Sequence, residues 1–195
     1  MPRILSACLV ALFVLPGFVL PGAARADEAA AWAALRMGGH VALMRHADAP
    51  GYADPPGFKL GDCATQRNLS ERGRADARAV GDRLKRAGIA FGSLLTSPWC
   101  RCVDTARLLG LGTAKLAPTF GNIVILRDQV EVLTQGGRAV IGSWEGPSNL
   151  LVVTHGANIA ALTGGANPTS GEIVVVAGSA GGKVREVGRI PLPNS

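Results

Sequence analysis

Apolar residues fall in short runs along this chain, each bounded by glycine, proline or a charged stretch. His40 to Met44, Ser93 to Thr96 and Leu150 to Thr154 lack polar alternation and read as buried strands. Glu172 to Ala177 and Lys183 to Ile190 read as two more, joined by the Gly-rich turn at Ser179 to Gly182. Helical patterns lie between these runs. Ala29 to Arg36 is an alanine-rich short helix. Ser70 is an N-cap with Glu71 in the first turn, and Ala75, Ala79, Val80, Leu84 and Ala87 then recur at helical spacing until Gly88 closes the helix. Pro98 suits the first turn of a helix carrying Arg101, Thr105, Leu108 and Leu109. Val130, Leu133, Val140, Ile141 and Trp144 fit another, which Gly136-Gly137 weakens. Asn158 to Leu162 opens the last. Asn122 to Leu126 reads as either a strand or an irregular loop. Strands alternating with helices predict an α/β sheet covered by helices on both faces.

Before the first helix, Arg3, the apolar stretch Leu9 to Leu20 and Ala24-Arg25-Ala26 match the three regions of a secretory signal peptide. Residues 1–26 are therefore set apart, and residues 27–195 are expected to form one domain. The apolar stretch contains Pro16 and is too short for a good spanning helix. A periplasmic or secreted protein without stable membrane insertion after cleavage is the expectation. Removing Arg3 and Arg25 from the 20 basic residues leaves 18 against 14 acidic ones, a net charge of +4. That modest excess favours anionic small molecules. Nucleic acid is excluded, because no basic run is interleaved with aromatic residues.

Export makes a disulfide plausible, and without Cys8 three cysteines remain. Cys100 and Cys102 are too close in sequence for an easy mutual bridge, so Cys63 is expected to pair with one of them. That bridge would staple the loop after the first strand to the segment holding Arg101. A metal site is the weaker reading, since no histidine or carboxylate lies at ligand spacing nearby.

The chemistry concentrates at strand ends. Arg45-His46 directly follows one apolar run and His155 follows another, among only three histidines in the chain. A fixed cation beside a titratable nitrogen nucleophile suits attack on a phosphoryl group. Ligands in open α/β sheets bind beyond the carboxyl ends of strands, where Arg45-His46, Ser97 and His155 all fall. Asp48 to Gln66, rich in glycine and proline, is a long loop beside Arg45-His46, and loops of that length are commonly functional.

Four pieces in order resemble the histidine phosphatase superfamily, with its phosphoglycerate-mutase-like fold. They are Arg45-His46-Ala47; Asn68-Leu69-Ser70 with Gly73 and Ala77; Ser97-Pro98-x-x-Arg101 with Thr105-Ala106; and Val153-Thr154-His155-Gly156 with Asn158. The resemblance implies a three-layer α/β/α domain with a mostly parallel central sheet. It implies that His46 is a nucleophile forming a transient phosphohistidine, and that Arg45, Arg101 and His155 make the phosphate pocket. Arg67 is a further candidate for substrate contact. Asn158 either touches the ligand or only caps its helix. No metal or other cofactor is required by this scheme.

Phosphoryl transfer depends on positioning and electrostatic stabilisation, for which arginine forks are suited. The nucleophile must be neutral, whereas His155 works best protonated, so the two environments are expected to push their pKa values apart. The chain departs from the family pattern in its general acid. No glutamate matches the mutase acid between Leu111 and Gln129, Glu145 comes too late, and Gly156 stands where the other branch carries an acid. Asp48, Asp62 and Asp128 are the acids left to consider. The expected substrates are a phosphorylated small molecule, glycan or lipid, or phosphohistidine. The alternative is a binding module that captures the phosphorylated group without turnover.

Overall fold

The computed structural model describes residues 22–179 and 182–192. At the centre of its sheet, β1 (Val41–Arg45) and β4 (Asn149–Thr154) run parallel, with Val41 opposite Leu150 and Arg45 opposite Thr154. β2 (Phe91–Thr96) lies parallel to β4 on its other side, and β3 (Lys115–Leu116) extends that edge in parallel. Beyond β1, β5 (Ile173–Ser179) and β6 (Lys183–Ile190) are antiparallel. The order among the described residues is β3-β2-β4-β1-β5-β6.

The central strands are apolar at successive positions because both faces are covered. Ala42, Met44, Leu151, Val153, Ile173 and Val175 join one core with α1 (Gly22–Met37), α2 (Glu71–Arg86) and α3 (Cys100–Leu109). Their neighbours Val41, Leu43, Leu150, Val152, Val174 and Val176 join a second core with α4 (Val130–Gly142) and α5 (Gly156–Thr163). The three-layer α/β/α arrangement expected from the chain is observed.

Local chemistry accounts for most boundaries. Ser70 Oγ accepts a hydrogen bond from Gly73 N–H at 2.9 Å, capping α2. Pro98 lies outside α3, whose first residue is Cys100, and Trp99 occupies the N-cap position. Asn122 to Leu126 is not a strand. Ile125 N–H and Leu126 N–H both donate back to Asn122 O, at 3.0 and 2.9 Å, closing a turn. Gly136-Gly137 does not interrupt α4, and a side chain at either position would collide with its neighbours. A Cβ on Gly136 would sit 2.4 Å from Thr119 Oγ1, and one on Gly137 2.8 Å from Leu162 Cδ2. Gly137 lets α4 approach α5 closely, and Gly136 lets it approach the turn holding Thr119. The two-residue β3 is too short to leave a periodic signal.

Most of the expected leader lies outside the described residues. Its proposed cut before Asp27 falls within α1, so cleavage there would leave Asp27–Met37 of that helix against the sheet. Among the described residues no helix is long and apolar enough to cross a membrane.

Cys63 pairs with Cys100, and Cys102 is a buried free thiol. The bridge fastens the long loop after β1 to the first turn of α3 across a sequence separation of 37. Closing a loop of that size in the unfolded chain predicts that the Cys63→Ser/Cys100→Ser variant loses about 2–4 kcal/mol, measured by urea unfolding.

Candidate functional site

Three adjacent parallel strands end at the same edge of the sheet, and each runs into a polar residue. β1 leads to His46, β4 to His155 and β2 to Ser97. Backbone pairing continues past the strands: His46 N–H donates to Thr154 O and Ser97 N–H to Val153 O, each at 2.9 Å. The sheet therefore sets the spacing of these side chains. The two imidazoles stand edge to face with centroids 5.5 Å apart. Ser97 Oγ lies 2.9 Å from His155 Nε2.

A cavity of about 260 Å³ opens over this edge, lined in part by Arg45, His46, Arg67, Arg101 and His155. The arginines share one arrangement. Arg45 Nη1 donates to Pro168 O at 2.8 Å. Arg67 Nη1 donates to Ala49 O and, at 3.1 Å, to Gly51 O. Arg101 Nη1 donates to Asp54 Oδ1 at 2.8 Å. In all three the Nε–H is buried without a partner. Each guanidinium is thus anchored at one corner and short of acceptors along its other edge. Buried donors are normally satisfied. An oxyanion with several acceptor oxygens is the ligand class that corrects this surplus.

His46 has a defined tautomer. Its Nδ1 lies 2.8 Å from Ala47 O, and because a carbonyl only accepts, Nδ1 carries the hydrogen and Nε2 keeps the lone pair. Burial drives the His46 pKa down to about 3; the Ala47 hydrogen bond opposes that shift, while Arg101, Arg67 and Arg45 reinforce it. The ring is accordingly neutral and nucleophilic.

The pKa of His155 is also pushed well below its usual value, by burial and by His46, Arg101, Arg67 and Arg45. The expectation that the two pKa values diverge is corrected: both fall, because the groups around them are cationic. Cys102 Sγ lies 3.6 Å from His155 Nε2, but burial raises that thiol to about 12, so it supplies no thiolate to charge the ring.

Asp54 was not foreseen from the sequence. It comes from the long loop after β1, and it is the one carboxylate among the described residues lining the cavity. Its side chain and that of Arg101 are each only 1% exposed. Besides Arg101 it accepts hydrogen bonds from Trp99 Nε1 at 3.1 Å and from Arg67 N–H at 3.0 Å. Burial raises its pKa, but these bonds and the Arg101 charge outweigh burial and leave it lowered. Asp54 is therefore a carboxylate committed to holding the arginines. Only its position in the folded loop reveals it, since a glycine- and proline-rich segment carries no periodic pattern.

The acids considered from the sequence lie elsewhere. Asp48 accepts from Ser70 Oγ at 2.6 Å, Asp62 caps a turn by accepting from Ala64 N–H, and Asp128 and Glu145 are exposed away from the cavity. Gly156 leaves room for Arg45, whose Cδ would lie 3.3 Å from a Cβ there. Asn158 does not line the cavity, which corrects its assignment to substrate contact. Its amide donates to Gly121 O at 2.7 Å and accepts from Ile123 N–H at 3.4 Å, so it fixes the neighbouring turn. Trp99 is fully buried, edge-on to His155 at 5.4 Å between centroids.

Comparison with known proteins agrees with this architecture. The model of the histidine phosphatase superfamily (branch 1) matches residues 41–119. The fold resembles the protein histidine phosphatase SixA complexed with tungstate, at 23% identity and a TM-score of 0.56, over 78% of this chain and 96% of that one. It also resembles the open reading frame Rv3214 product of Mycobacterium tuberculosis, at 16% identity and a TM-score of 0.58, over 75% and 94%. A mycobacterial glucosyl-3-phosphoglycerate phosphatase, Rv2419c, in complex with VO3 is similar at 16% identity and a TM-score of 0.52, over 75% and 95%. At these identities the likeness is one of fold. No curated protein sequence matches the chain.

Three outcomes follow from the site. NMR titration should find both the His46 and His155 rings neutral from about pH 8 to about pH 5 in the free protein; a midpoint near 6.5 for either would contradict the burial described. Unfolding returns these rings to ordinary values, so the unfolded chain binds more protons and stability should fall as pH drops below about 6.5. Removing the Asp54 carboxylate strands a buried Arg101 charge, and Asp54→Ala should cost about 3–5 kcal/mol in urea unfolding.

Proposed function

We propose that this chain, which belongs to the histidine phosphatase superfamily, is a metal-independent phosphatase that works through a covalent phosphohistidine on His46. The observation that carries the reading is the single cavity in which a neutral imidazole of fixed tautomer faces three anchored guanidinium groups short of acceptors. His46 Nε2 attacks phosphorus while Arg45, Arg67 and Arg101 hold the equatorial oxygens. Their positive charge stabilises the spread negative charge of the transition state. The bond from phosphorus to the leaving group breaks, and water then cleaves the phosphohistidine to release phosphate. A bound phosphate dianion brings negative charge beside His155, favouring its protonation and a further hydrogen bond to the ligand.

With Asp54 held by Arg101, Trp99 and Arg67, no uncommitted carboxylate lines the cavity among the described residues. Substrates whose leaving group departs without strong acid assistance suit such a site. Phosphohistidine and phosphomonoesters of acidic alcohols fit this description, and a mutase reaction does not. The same missing acid supports the second reading, a phosphate-binding module without turnover. An exported setting is supported by the N-terminal pattern and by the Cys63–Cys100 bridge, since such bridges persist in oxidising compartments.

Purified protein should release phosphate from p-nitrophenyl phosphate or phosphohistidine with chelator present, and His46→Ala should lose roughly 10³-fold or more. Rapid quench should trap an acid-labile phosphoryl group on the wild type alone. Equal phosphate release by wild type and variant would overturn the assignment of His46. Saturable phosphate binding with neither turnover nor labelling would favour the binding module.

A further inference from the structure

We propose that the rim of the cavity is a subsite for the apolar part of the leaving group, so that the substrate is a phosphorylated compound whose acidic leaving atom carries apolar carbon. Two loop tips form this rim. Tyr52 comes from the loop after β1, and Val124 with Ile125 from the turn after residue 121; all three line the cavity. Tyr52 is 105% exposed, Val124 51% and Ile125 36%. Single exposed apolar side chains are ordinary on a protein surface. These three differ in lining a strongly cationic pocket, where solvated polar residues would be the simpler composition.

Both tips are held by polar anchors. On one side, Tyr52 is bracketed by Gly51, whose carbonyl accepts from Arg67 Nη1, and by Asp54, which is bound to Arg101 and Trp99. On the other, Asn122 Oδ1 accepts from Val124 N–H at 3.1 Å, and Asn158 grips Gly121 O and Ile123 N–H from beneath. Ile123 is buried and Leu126 packs against the core, so the turn directs Val124 and Ile125 outward while its other apolar residues face inward. The rim is thus built on the residues that hold the arginines and the second turn, and its apolar groups are displayed at little further ordering cost.

The size of the cavity is consistent with this occupant. At about 260 Å³ it lies just below the range of roughly 300–1,000 Å³ typical of small-ligand pockets, leaving room for a compact group beside the phosphate. Polar partners in the lining are Asn122, Asn167 and the Tyr52 hydroxyl, whereas Ala53, Val124, Ile125 and Ala157 offer a ligand no side-chain hydrogen bond. An apolar group loses no hydrogen bonds there and gains burial.

The inference rests on the phosphoryl site proposed above, and phosphonates test the two separately because they bind without being cleaved. Affinities of inorganic phosphate and of methyl-, butyl- and phenylphosphonate would be measured by calorimetry on the wild type and on the Tyr52→Ser/Val124→Ser/Ile125→Ser variant. Butyl- and phenylphosphonate should bind the wild type roughly tenfold tighter than methylphosphonate, the gain expected from burying about two methylenes. The variant should bind all three alike, with methylphosphonate affinity unchanged, which also shows that it is folded. Equal affinities in the wild type would overturn the apolar subsite while leaving the phosphoryl site standing. A preference that survives in the variant would overturn its assignment to these residues. Failure of phosphate and every phosphonate to bind would overturn the phosphoryl site itself.

Discussion

The buried pair of Asp54 and Arg101 is the contact on which the site depends. One carboxylate joins a loop after the first strand to the first turn of α3, to the indole of Trp99 and to the backbone of Arg67 just before α2. Three segments distant in sequence are thereby fixed around one space. Ion pairs taken out of water contribute little net stability unless their remaining donors and acceptors are satisfied, and losing one member is far more costly than replacing both. The nearby Cys63–Cys100 bridge holds the same loop to the same helix by a covalent route.

This arrangement separates the duties of the polar groups. The arginines remain charged whatever their burial, since guanidinium does not give up its proton in proteins. Burial and those cations together keep both imidazoles neutral. Positive charge therefore resides in groups that cannot act as nucleophiles, and the group with a free lone pair is uncharged. A cavity organised in this way is ready for an anion that accepts many hydrogen bonds and presents an electrophilic centre.

Much of this was legible in the chain because it is encoded locally. Doubly buried strands appear as unbroken apolar runs, and their ends located His46, His155 and Ser97 on neighbouring parallel strands. Arg101 followed from its place one helical turn beyond β2. What escaped reading depends on contacts across the fold. Asp54 looks like any loop aspartate until the loop closes over Arg101. Gly136-Gly137 looks like a helix breaker until Thr119 and Leu162 occupy the space beside it. Asn158 resembled a ligand contact because it follows His155, yet its amide is spent on the turn that carries Val124 and Ile125. The protonation of His155 was misjudged for the same reason, since it depends on the sum of surrounding charges.

The surplus of unsatisfied donors has a consequence beyond chemistry. Any multivalent anion that enters the folded cavity and has no affinity for the unfolded chain shifts the folding equilibrium by mass action. If the cavity takes phosphate as proposed, then sulfate, phosphate and their tetrahedral analogues in a buffer become part of the protein's thermodynamic state. Under the proposed function, a melting temperature recorded in phosphate and one recorded in an amine buffer with chloride would describe two differently ligated molecules.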